Sequence, residues 1–114
     1  MTKQESKDLT IEVWEEIGNR KLVIKSELNL KTWVKIKDLK YKCPLCELFN
    51  NTNNRFLPWK LNCVGCPLKE AGKQCYSKSK SNPYAIWSDG LSSINNRVKA
   101  AREIVKITKA WKVK

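Results

Sequence analysis

Histidine is absent from the 114 residues, and acidic side chains are scarce, 11 against 23 lysines and arginines. Without an imidazole the chain has no side chain whose ordinary pKa lies between pH 5 and 8, and it lacks the commonest general base. No Gly-rich phosphate loop or nucleophile elbow is present. The few carboxylates are densest near the N-terminus, with no spacing that suggests an acid-base pair. These absences argue against an enzyme. No stretch approaches twenty apolar residues, so no spanning helix is expected. The opening Met-Thr-Lys-Gln-Glu-Ser-Lys also lacks an apolar signal segment. The expectation is a soluble, cytoplasmic protein of one domain, with a core small enough to benefit from a metal staple.

What the chain does have is positive charge, a formal +12. It is unevenly placed: residues 1–20 carry a net −2, 21–42 +5, 43–91 +3 and 92–114 +6. Basic character therefore flanks the middle of the chain and points to an anionic partner, although lysines also serve simply to keep a small domain in solution.

That middle is a cysteine module. Cys43 and Cys46 form one Cys-x-x-Cys hook, Cys63 and Cys66 a second after sixteen residues, and Cys75 follows after eight more. Each hook presents two sulfurs to one ion, and four thiolates at about 2.3 Å close a tetrahedral zinc shell of the structural kind. Pro44 and Pro67 restrict the backbone of the hooks, and Gly65 permits a left-handed turn in the second. Cys43, Cys46, Cys63 and Cys66 are the expected ligands, with Cys75 the alternative. A disulfide framework fits less well, because five cysteines is an odd number. A Cys-Pro-Leu-Cys redox pair needs a following helix that Asn50 to Asn54 and Pro58 would break. An iron-sulfur cluster remains open with the same ligands.

The string Tyr41-Lys-Cys-Pro-Leu-Cys-Glu-Leu-Phe49, the later Cys-x-x-Cys-Pro-Leu, and Gly72, Cys75 and Ser81-Asn-Pro-Tyr-Ala-Ile-Trp87 resemble a group of small phage-encoded cysteine-rich proteins. The resemblance covers about residues 41–87. It implies a viral accessory protein acting in the host cytoplasm and supplies no activity. The Lys- and Asn-rich composition suits a phage of an AT-rich host.

Along the chain, Leu9, Val13, Trp14 and Ile17 recur at helical spacing, and Gly18-Asn19 are placed to end a helix begun near Asp8. Its outer Glu12, Glu15 and Glu16 either pair with basic segments elsewhere or face water, and Trp14 reads as a core anchor. Leu28, Leu30, Thr32, Val34 and Ile36 alternate as in a strand, while Leu30, Trp33, Val34 and Lys37 also suit a helical turn; Leu22–Ile24 and Val34–Ile36 are expected to be short extended pieces. Lys35, Lys37, Lys40 and Lys42 lead into the first hook, and Trp33 and Tyr41 add stacking surface, unless the rings cover the metal module. Pro67 to Gly72 suits one helical turn. Asn82-Pro83 predicts a capped helix through Trp87, closed by Asp89-Gly90. A longer helix is expected to open near Ser92 or Ser93, with Ile94, Val98, Ala101, Val105, Thr108 and Trp111 as its apolar stripe. The helix dipole explains cations in its last turn but not Arg97, Lys99 or Arg102.

Together these features predict a small α+β fold, mainly helical with irregular zinc-knuckle loops, a core stapled by a four-cysteine metal site and a long basic C-terminal helix. One domain is expected, made of an N-terminal helix and basic segment (1–42), the cysteine module (43–75) and a helical segment (82–114). The expected function is non-enzymatic. A Zn2+-stapled module would bind DNA, RNA or a nucleotide ligand through Lys35, Lys37, Lys40, Lys42, Arg97, Lys99, Arg102 and Lys106, with Trp33, Tyr84 and Trp87 for stacking. The alternative is a phage inhibitor or anti-defence factor that blocks a host protein, with tryptophans as interface anchors.

Overall fold

A computed structural model of the chain describes residues 2–38, 44–45, 66–71, 82–89 and 91–113. Five helices are delimited among them: α1 (Lys3–Arg20), α2 (Leu30–Ile36), α3 (Pro67–Glu70), α4 (Pro83–Ser88) and α5 (Ile94–Ala110), with a 3-10 turn at Lys25–Glu27 between α1 and α2. No strand occurs among the described residues.

α1 starts five residues earlier than its apolar spacing implies because Thr2 caps it. The Thr2 hydroxyl accepts from the Glu5 amide at 3.1 Å, which satisfies one of the amides that a helix start leaves without a partner. It also runs past Gly18 and stops at Lys21, whose backbone is left-handed (φ 56°, ψ 43°). The Leu22 amide then returns to Ile17 O at 3.0 Å, the six-to-one closure of a Schellman motif. The glycine is not the stop. Gly18 is buried where α1 meets α5, opposite Ala101 and Arg102.

The expected α+β class is corrected here. Val34–Ile36 lies inside α2, and Leu22–Ile24 is an irregular link into the 3-10 turn. Asn29 decides the first case: its side chain accepts from the Lys31 amide at 3.0 Å, and its carbonyl accepts from the amides of Thr32 and Trp33. A period of two contains a period of four. Leu28, Thr32 and Ile36 are buried, whereas Leu30 and Val34 are exposed. The apparent alternation was one helical face and part of its opposite. Leu22 finds a side-chain partner instead of a strand, since its carbonyl accepts from Trp87 Nε1 at 2.9 Å.

α1 and α5 are the principal pair and run antiparallel, with Gly18 opposite Ala101 and Arg102, Glu15 opposite Lys109, and Lys7 reaching the Trp111 carbonyl at 2.6 Å. Ser93 caps α5 by accepting from the Asn96 amide at 3.2 Å. Its buried face consists of Ala100, Ala101, Ile104, Val105 and Thr108. Val98 is half-buried, Ile94 is exposed, and Trp111 lies just past the helix but still packs on the core. The apolar stripe is therefore centred nearer Ile104 than the 94–98–101–105–108 row suggests. Pro83 and Trp87 of α4 close one side, with the Asn82 side-chain Oδ1 capping the helix by accepting from the Ala85 amide at 2.8 Å. Trp14, Tyr84 and Trp87 meet edge to face or tilted, the Trp14 and Trp87 rings 4.9 Å apart at 84°. Lys25 Nζ stands 5.4 Å from the Trp14 ring centre and 5.3 Å from that of Tyr84.

The metal-stapled core is corrected as well. One cluster of apolar side chains from all the helices makes the core, including Leu45, Cys66 and Leu68. Among the described residues no group of three or more His, Cys, Asp or Glu is placed to hold a metal ion.

Candidate functional site

The acidic outer face of α1 is paired on both flanks. Glu12 takes Lys35 at 3.0 Å. Glu15 takes Lys109 at 2.7 Å. Glu16 takes Arg20 at 2.8 Å and also accepts from the Asn29 amide and the Thr32 hydroxyl. Each exposed pair is worth only about 0.2–1 kcal/mol. Their larger consequence is for charge: α1 neutralises Lys35 and Lys109, and so selects which cations remain unpaired.

Of the expected anion-binding residues, Lys40 and Lys42 lie outside the described residues, as does Tyr41. Lys37 is exposed at the end of α2. Arg97 turns back on the chain, its Nη2 donating to Asp89 O at 2.8 Å and its Nε to Ser92 O at 3.2 Å. It fastens the α4–α5 corner. Lys99, Arg102 and Lys106 are exposed, and among the described residues none of them forms an ion pair.

Those three cations and Lys109 form a single row. Their spacing of three, four and three places them within about a quarter of the circumference at 3.6 residues per turn, along about 15 Å of helix. The row borders a groove between α1 and α5 of about 740 Å³, lined by Trp14, Glu15 and Asn19 of α1 and by Arg102, Val105, Lys106, Lys109 and Ala110 of α5. Trp14 and Val105 form its buried floor, and the charged and polar groups form its exposed walls. The Glu15–Lys109 pair spans it. Sequence reasoning did not single out Lys109, Glu15 or Asn19 as site residues. The 99–102–106–109 spacing was a signal that could have added Lys109. Nothing in the sequence places Asn19 beside it.

The expected stacking residues are mostly inward. Trp87 is 4 % exposed with its indole N–H bonded to Leu22 O, and Trp33 and Tyr84 are half-buried against the core.

Of the expected metal ligands, Cys43, Cys46 and Cys63 lie outside the described residues, as does Cys75. Cys66 is buried immediately before α3, and Pro67 and Leu68 are buried with it. The middle of the first hook is docked too. Pro44 and Leu45 are helical and buried, and the Ser6 hydroxyl donates to Pro44 O at 2.9 Å. The described parts of both hooks are thus seated on the helical core, and the thiol donors have the chemistry of a zinc site.

Comparison with family models, curated proteins and solved structures yields no match for the chain.

Proposed function

We propose that the chain is a non-enzymatic module that engages the phosphate backbone of a nucleic acid along the outer row of α5. The row of Lys99, Arg102, Lys106 and Lys109 carries the reading. Three of its members have no acidic partner among the described residues, and the helix dipole accounts only for a cation in the last turn. Charged side chains held along one straight ridge contact phosphates without reading bases. In this reading Cys43, Cys46, Cys63 and Cys66, or Cys75 in place of one, bind a Zn2+ ion. The resemblance of residues 41–87 to small phage proteins supports a phage accessory role in the host cytoplasm. Among the described residues no helix is long and apolar enough to cross a membrane.

A gel mobility-shift titration over a range of salt tests the reading. Affinity should fall steeply with salt, because each neutralised phosphate releases counterions, and Lys99→Ala, Arg102→Ala and Lys106→Ala should each flatten that dependence. Absence of binding at low salt to any single- or double-stranded DNA or RNA refutes it. The alternative, a factor that blocks a host protein, relies on tryptophan anchors. It has less support, because Trp14 and Trp87 are in the core and Trp33 and Trp111 pack against it. A stoichiometric protein partner retained after nuclease treatment would favour it.

A further inference from the structure

We infer that the groove between α1 and α5 receives one unstacked base of a single-stranded nucleic acid whose backbone follows the adjoining row of cations. This rests on the phosphate-binding reading above and adds to it a preference for single strands. The cationic row and the groove are continuous, since Arg102, Lys106 and Lys109 belong to both. A phosphate held by these side chains leaves its own base within reach of the groove. In a duplex that base is paired and stacked, turned away from the backbone that the cations grip.

The lining matches a base better than other anionic amphiphiles. Its floor offers apolar contact at Val105, with Ala110 at one end, over the buried Trp14. The opposite wall carries Asn19, whose amide both donates and accepts, and Glu15, which only accepts. These groups complement the donor and acceptor edge of a base. A fatty acyl chain or a simple polyphosphate would leave both without partners. At about 740 Å³ the space lies within the range of small-molecule sites. The Glu15–Lys109 pair, 2.7 Å long and exposed on both sides, spans the groove and must loosen to admit a base, which releases Lys109 to a phosphate.

The test compares fluorescein-labelled single-stranded oligo(dT) with an oligo(dA)·oligo(dT) duplex of the same length, at one salt concentration, by anisotropy. The full-length protein should bind the single strand at least tenfold more tightly. Ala110→Leu fills the groove at an exposed helix end and should remove most of that preference while leaving duplex affinity within about twofold. Lys99→Ala lies on the row outside the groove and should weaken both probes alike. Equal or tighter binding of the duplex, or a single-strand preference unchanged by Ala110→Leu, overturns the inference and leaves the phosphate-binding reading standing. Failure of both probes to bind overturns the inference, and the phosphate-binding reading falls with it when RNA also fails to bind at low salt. Circular dichroism of each variant verifies that the helices are retained.

Discussion

Moving a glycine from the place where α1 does not need one to the place where it does should stabilise the protein twice. Gly18 has ordinary helical surroundings, and a Cβ added there would lie 3.6 Å from Arg102 Cγ and 3.7 Å from Ala101 Cβ. Those are normal van der Waals distances, so a methyl group would add contact without displacing α5. Alanine is favoured over glycine inside a helix by about 0.5–1 kcal/mol, and Gly18→Ala should gain about that much. Lys21 has the opposite problem, because its φ of 56° places a Cβ in the left-handed region. That conformation costs about 1–2 kcal/mol for a residue with a side chain. Glycine removes the strain but has more unfolded-state freedom to lose, so Lys21→Gly should net about 0.5–1 kcal/mol. Urea unfolding followed by circular dichroism reads both, with midpoints raised and the slope unchanged. A Gly18→Ala variant that loses about 1 kcal/mol or more would mean that α1 and α5 approach more closely than these distances allow. A Lys21→Gly variant that loses stability would mean that the helix does not end on a left-handed residue.

Four further outcomes are expected. Trp87→Phe removes the donor to the buried Leu22 carbonyl and shrinks a core ring, so it should lower stability by about 2–4 kcal/mol in thermal or urea unfolding. Ser93→Ala removes the cap of α5 and should lose about 1 kcal/mol by the same assay. Glu15→Gln releases Lys109 from its ion pair, so phosphate affinity should rise and the salt slope steepen by about one unit, measured by titration at several salt concentrations. Purified protein should carry a zinc-to-chain ratio of about one with one reactive thiol. A strong chelator should then remove the metal but leave most of the helical signal, because the helices share an apolar core. Metal-free protein with its sulfurs paired would refute the zinc assignment.

Local chemistry was legible where one residue decides the outcome. Asn82-Pro83 and Ser93 start α4 and α5 because a side-chain oxygen within reach of an amide needs no distant partner. The net positive charge, the two hooks and the basic character of residues 92–114 are likewise properties of the chain itself. Three matters needed tertiary structure. Residues 28–36 fit both a strand and a helix, and Asn29 together with burial of Thr32 and Ile36 settled the choice. Gly18 looked like a terminus, but packing against Ala101 gives it a place inside the helix and moves the left-handed residue to Lys21. Charge alone could not separate Arg97 or Lys35 from Lys99, Arg102 and Lys106. Arg97 meets backbone carbonyls at the α4–α5 corner and Lys35 meets Glu12, so only the antiparallel pairing of α1 with α5 and the seating of α2 on α1 reveal which cations are left to face an anion. A sequence sets which groups can attract one another, but distances between segments far apart in the chain decide which of them do.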